Sequence, residues 1–339
     1  FILGKLYFVI TTMELPRRLI DMVTTKDTSL NKINSVNGYL RLIFDQNKLM
    51  NDNDNDNDNY NYNYKSIDDD EKEGFAVTCY RGQSKSDWLL QPSISRGYKD
   101  NAENEIFREL MLEAPNEFNN DRFMFDKLVR AQHYGLPTRL VDVSLNPLVA
   151  LYFACCEFKG GKEELADGKV YIISFKSSRV KFSDSDTISL ISNLTRLSDE
   201  EKKALKEKQN FAVASFRKLD EIKRLLGFVK GEKPYFTNEV RRSDLFRYFF
   251  VYPTKNNRRV IAQSGAFMTA GLLKYDSPQS SNGLKINQIL IPGASKPKIL
   301  EELDKLNINS RSLFPEIESA SKYIKAKYVI PSAMEDENL

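Results

Sequence analysis

The sole histidine of this 339-residue chain, His133, stands in a stretch crowded with hydrogen-bonding groups: Gln132, Tyr134, Thr138, Arg139, Asp142 and Ser144. Imidazole, neutral near pH 7, can serve as a general acid or base, or can donate to a backbone carbonyl at a helix end, where the dipole also favours it. Upstream, Tyr80-Arg81-Gly82-Gln83 closes a β-like run. The Arg81 guanidinium could meet a phosphate or carboxylate bidentately at the end of that strand, with Gly82 letting a ligand approach the backbone. The competing role is a structural ion pair with Asp142 or Glu157, because arginine is rarely buried without a partner. Arg139 and Asp142, three apart, could pair in the same way and fix the intervening loop. Ser144 precedes Asn146 by two residues, so its hydroxyl could point at a ligand held by a helix N-terminus. A serine nucleophile would need a base and a G-x-S-x-G elbow, and the elbow is absent. Later, Gln263 and Ser264 can present an amide and a hydroxyl just before Gly265, where a strand glycine marks either close approach of a ligand or a bulge.

Metal chemistry has no ligand set here. One histidine, an isolated Cys79 and the adjacent Cys155 and Cys156 give no zinc spacing, so no metal is expected. The same cysteines suit a reducing cytoplasm. A net charge of +3 does not imply nucleic acid, and the basic bias between Arg217 and Arg259, with Arg241, Arg242 and Arg258, reads as a solvated face. The longest apolar runs, Leu148 to Cys156 and Leu245 to Tyr252, fall well short of the ~20 residues of a membrane-spanning helix. An apolar content of 41% with 29% charged residues fits one large globular domain or two modest ones.

The positioning elements follow from periodicity. Ile33, Val36, Leu40, Ile43 and Phe44 recur at helical spacing, with Asn34 or Ser35 as cap. The run NDNDNDNDNYNYNY from Asn51, with the acidic stretch up to Glu73, offers no core and reads as a disordered insertion over 51–73. Phe75 to Tyr80 predicts a strand, and Asn101 to Leu112 and Asp121 to His133 predict helices. Gly135 suits a helix C-cap and Pro137 blocks continuation. Asn146-Pro147 starts an apolar helix running to about Glu157. Beyond it, Lys169 to Phe175 predicts a strand, and Ser198 to Glu201 form a capping box opening a helix to about Asn210. A helix follows over Ala212 to Leu226. Strands are expected over Val260 to Leu272 and Ile286 to Ile291, and helices over Lys296 to Leu306 and Glu316 to Lys325. Helices and strands intermix without a Gly-rich phosphate loop, which predicts an α+β fold: a mixed, mainly antiparallel sheet flanked by helices. Residues 1–32 read as an N-terminal extension, with residues 1–12 upstream of an initiator at Met13. Residues 33–325 form the domain and 326–339 a tail.

Five blocks in order resemble the FRG domain family, named for an aromatic-Arg-Gly motif: YRGQ from Tyr80, WLLQPSISR from Trp88, QHYGLPTRLVDVSLNPLVALYFA from Gln132, RRVIAQSGAF from Arg258 and LFPEIESASKYI from Leu313. Tyr80 stands where the name has Phe. The resemblance implies a bacterial or phage protein, some of whose relatives are linked to defence, without tying the chain to one reaction. The order of an early Arg-Gly, a central Ser144 before a helix and a late Gln263 is also similar to ADP-ribosyltransferases, although their late glutamate motif is missing. That similarity implies NAD as ligand: Arg81 binds phosphate, His133 and Ser144 line the nicotinamide-ribose pocket, and Gln263 takes the late position. The candidate catalytic residues are then His133, Ser144 and Gln263, with Tyr80, Arg81, Gly82, Gln83, Gln132, Tyr134, Thr138, Arg139 and Asp142 binding ligand. A small-molecule or nucleotide ligand is the expected partner, with no membrane and no nucleic acid. A module that recognises a small molecule or protein without turnover would use the same polar groups, and so would a fully paired structural network.

Overall fold

A computed structural model describes residues 33–52, 74–156, 166–272 and 280–316, all within a unit that begins at Ile33. The extension expected over 1–32, all but the first two residues of the expected insertion, the last expected helix beyond Glu316 and the tail lie outside the described residues.

Helix α1 (Val36–Asp52) starts where the Ser35 hydroxyl accepts from the Gly38 amide at 3.2 Å, the expected cap, and it continues through Asn51 and Asp52. Next come β1 (Phe75–Gln83), α2 (Ala102–Glu113), α3 (Met124–His133), β2 (Val141–Ser144) and α4 (Pro147–Cys155). They are followed by β3 (Gly168–Lys176), β4 (Val180–Phe182), α5 (Asp186–Asn193) and α6 (Asp199–Glu207), the last opened by the expected capping box. The rest is α7 (Val213–Phe216), α8 (Asp220–Glu232), β5 (Tyr248–Tyr252), α9 (Arg258–Ala262), β6 (Gly265–Ala270), β7 (Leu284–Ile291), α10 (Lys296–Lys305) and α11 (Ser310–Leu313).

Among the described residues the strands form one seven-stranded sheet in the order β4-β5-β6-β2-β1-β3-β7, antiparallel except for the β4/β5 pair. The fold is α+β. On one face, Cys79, Val141, Val143, Tyr171, Ile173, Phe175, Phe250 and Met268 bury each other. Phe175 and Phe250 lie 5.9 Å apart between ring centroids, although their strands stand four places apart, about 19 Å on a flat sheet. The sheet is therefore curled around that face. The opposite face takes two helical layers, because side chains alternate along each strand. Tyr80, Val170, Ile172 and Ile289 pack under α1, α4 and α10, while Phe249, Val251 and Phe267 pack under α3, α5 and α8.

Helix α4 sits very close to the sheet. A Cβ at Gly82 would meet the Ala150 carbonyl oxygen at 1.8 Å, and one at Gly168 would meet the Ala154 carbonyl oxygen at 2.1 Å. Ala150 and Ala154 are one helical turn apart, so two small residues on α4 face two glycines on adjacent strands. At its start Asn146 accepts from the Leu148 amide at 2.9 Å, as expected of Asn-Pro. Helix α3 ends as expected at Gly135 (φ 85°), whose amide donates to Gln132 while that of Leu136 donates to Ala131.

Several boundaries differ from the sequence reading. Arg81 and Gly82 lie inside β1 rather than at its end. Helix α3 begins at Met124, not Asp121, whose carboxylate is taken by Arg130 at 2.6 Å. The helix expected over Ala212 to Leu226 breaks after Phe216, because Asp220 and Glu221 open a new first turn, where acidic residues suit the helix dipole. Val260 is helical rather than extended: the Asn257 side chain accepts from the Arg259 amide at 2.8 Å and caps α9, so the strand starts only at Gly265. Phe44, expected on the core face of α1, is exposed, and Tyr39 fills that place, its hydroxyl donating to the Pro147 carbonyl at 3.0 Å.

Candidate functional site

The β1/β2 ladder holds a single register pair, Tyr80 with Ser144. Beyond it the Arg81 Nη1 donates to the Asp142 carbonyl, and the guanidinium lies 3.8 Å from the Asp142 carboxylate. Where these strands part, α3, α4 and α9 converge above β1, β2 and β6 around a cavity of about 270 Å³. Tyr80, Arg81, Gly82, Gln132, His133, Asp142, Ser144 and Gln263 all line it, so eight of the twelve sequence candidates share one cavity. Val129, Val149, Phe153 and Phe267 supply an apolar wall, and Arg259 adds a second cation.

Arg81 is the least satisfied of these groups. Its Nε is buried and has no hydrogen-bond partner among the described residues. Burial pushes its pKa down; the Asp142 charge opposes that shift and the Arg96 charge adds to it. The guanidinium still carries its charge into the cavity lining, where it suits an anion.

The other polar groups are largely committed. Ser144 donates to the Gln263 carbonyl at 2.7 Å and accepts from the Asn146 amide at 3.0 Å, tying the end of β2 to α9. Its hydroxyl is therefore a brace, not a group aimed at a ligand on the α4 N-terminus. The Gln263 amide donates to the Leu313 carbonyl at 3.1 Å. Gln132 donates to Asp142 at 2.6 Å and accepts from the Thr138 hydroxyl at 2.5 Å. His133 sits at the rim, its Nε2 3.4 Å from a Glu316 oxygen. Arg259 lies over the Phe314 ring at 4.6 Å, and that ring meets Phe153 edge-on at 6.0 Å. The chain at Leu313 to Glu316 thus touches four cavity residues.

Four candidates lie elsewhere. Tyr134 is exposed and donates to Glu117 at 3.1 Å. Gln83 is buried, donating to the Leu89 carbonyl at 3.0 Å, and Thr138 is buried in the loop behind Gln132. Arg139 does not pair with Asp142. It is buried against Glu103, with Nε and Nη2 each at 2.6 Å from a carboxylate oxygen, and Lys202 joins at 2.8 Å. Burial alone would raise the Glu103 pKa, but the two cations hold it well below the usual carboxylate range. Gly82 lines the cavity, and the close approach of α4 by itself already requires a glycine there. The alternative Arg81 partner, Glu157, falls outside the described residues. Of the cavity's own residues, the sequence reading missed Arg259 and Phe153. In the sequence Arg259 falls within the basic stretch that reads as a solvated face, and Phe153 is hidden in a uniformly apolar helix.

Burial pushes the Cys79 thiol far up and the Cys155 thiol to about 12, so neither ionises near neutrality. Among the described residues no group of three or more His, Cys, Asp or Glu is placed to hold a metal, and no helix is long and apolar enough to cross a membrane.

Residues 76–163 match the model of the FRG domain, a span running from β1 past the end of α4. The later blocks at Arg258 and Leu313 fall outside that match. No curated protein and no solved structure matches the chain.

Proposed function

Because this chain carries an FRG domain over residues 76–163, we propose that the cavity between α3, α4 and α9 binds an anionic nucleotide of the NAD class. The observation that carries this reading is that Arg81, a largely buried cation, lines a cavity that also presents Arg259 and an apolar wall. The cations suit phosphate, and the Val129, Val149, Phe153 and Phe267 wall suits a flat ring. Binding comes before turnover in this reading, because Ser144 and the Gln263 amide already have partners. A second reading, transfer or hydrolysis at the nicotinamide bond, is favoured by the His133–Glu316 pair at the rim, which could handle a proton.

Purified protein titrated with NAD should show a rise in melting temperature that Arg81→Ala loses. Nicotinamide release followed in the same samples separates the two readings. A wild-type protein whose melting temperature NAD leaves unmoved, with no nicotinamide released, ends both.

A further inference from the structure

Arg81 faces two spaces. On its other side lies a cleft of about 210 Å³ that shares Arg81, Gln132 and Asp142 with the cavity and adds Arg96, Ser93 and Tyr98. Arg96 comes from the Trp88–Arg96 block, for which the nucleotide cavity has no use. Among the described residues its guanidinium makes one hydrogen bond, from Nη2 to the Gln91 carbonyl at 2.9 Å, and it lines the same cleft as Arg81, near enough for their charges to repel.

The loop bearing Arg96 is held in place by residues that looked like ligand contacts in the sequence. Gln83, in β1 beside Arg81, donates to the Leu89 carbonyl at 3.0 Å. Ser93 accepts from the Thr138 amide at 3.0 Å, and the Ile94 amide donates to the Thr138 carbonyl at 3.3 Å. Thr138 in turn holds Gln132, and Gln132 holds Asp142. Two like charges, the largely buried Arg81 and the exposed Arg96, thus line one space, with Asp142 the carboxylate among its described lining residues to offset them. That arrangement leaves one positive charge over for an anion.

The two spaces are also contiguous. The cavity of about 270 Å³ and the cleft of about 210 Å³ meet at Arg81, so an elongated ligand seated in one can extend into the other. We infer that the cleft between Arg81 and Arg96 is a diphosphate subsite, so that the ligand is a dinucleotide diphosphate with one nucleoside in the cavity and its phosphates drawn past Arg81 to Arg96. The assignment of a nucleoside to the cavity rests on the function proposed above. The anion cleft stands on its own residues.

The test is titration calorimetry on the full chain with inorganic pyrophosphate, NAD and nicotinamide riboside, comparing wild type with Arg96→Gln and Arg96→Lys. Arg96→Gln is expected to lose pyrophosphate binding and to weaken NAD about tenfold or more, with the phosphate-free riboside unchanged. Arg96→Lys, which keeps the charge without the fork, should fall between the two; it also carries the test if Arg96→Gln melts early. Pyrophosphate and NAD bound equally by wild type and both variants would overturn the subsite while leaving the cavity reading intact. Arg96-dependent pyrophosphate binding by a protein that takes no NAD would uphold the anion cleft and remove the nucleotide from the cavity.

Discussion

A guanidinium at Arg139 and one at Arg81 differ in what the fold has already set beside them. Arg139 is buried with Glu103 and Lys202 in a closed set of charge-assisted bonds that pins α2 to α6 and to the segment entering β2. Removing one partner leaves the rest desolvated and unpaired, which costs far more than the pair itself contributes. Glu103→Gln should therefore lower unfolding free energy by about 3–5 kcal/mol, read from urea or guanidinium midpoints; a loss under about 1 kcal/mol would mean the cluster is solvated. The sequence reading linked Arg139 to Asp142 by spacing alone. Arg139 sits in the bend before β2, outside the strand's period of two, so spacing alone does not decide where its side chain points. Nothing in the spacing pointed to Glu103, whose partner lies on another element.

At the level of elements, the site exists because α4 lies flat against β1 and β3. Gly82→Ala forces a methyl group into the Ala150 carbonyl, and neither backbone can yield without lifting the helix. Overpacking of this kind costs about 1–3 kcal/mol or more. Gly135→Ala meets open space and pays only for its positive φ, about 1–2 kcal/mol. Melting curves should rank Gly82→Ala well below Gly135→Ala; the reverse order would mean α4 is free to move. The elements with strong local signals were legible: the Asn146-Pro147 start, the Ser198 capping box, the Gly135 stop and the alternation of β3 all appear where expected. Helix α9 was not, because the β-branched pair Val260-Ile261 hid the Asn257 cap before it. Nor was the role of Gly82, since a glycine that admits a ligand and one that admits a helix have the same letter. The convergence of Arg81, His133, Ser144 and Gln263 required the strand order β6-β2-β1, which depends on long-range pairing.

Across the whole molecule, buried carboxylates shifted in opposite directions make opposing contributions to stability as pH changes. Glu103 is held below its usual value, so its contribution is complete above about pH 4.5 and is lost as pH falls toward its folded pKa. Asp126 behaves oppositely. Burial, then the charge of Asp121, raises it from 3.8 to about 6, with Glu232 adding to the shift. An acid whose folded pKa exceeds its unfolded one costs nothing below pH 3.8; the penalty grows as pH rises and is complete above about pH 6. Glu232 is raised too, chiefly by burial, while its carboxylate accepts from the Met124 amide at 2.6 Å. The combined contribution of these groups is therefore most favourable in the mildly acidic range, between the loss of Glu103 and the full charging of Asp126. Asp126→Asn removes the penalty and can keep the acceptor for the Phe123 amide. Its melting temperature should exceed that of wild type at pH 7 and match it near pH 4, with solvent access to Asp126 moderating the gain. An equal shift at both pH values would attribute the change to packing, and the acidic cluster at the start of α3 would then carry no electrostatic cost.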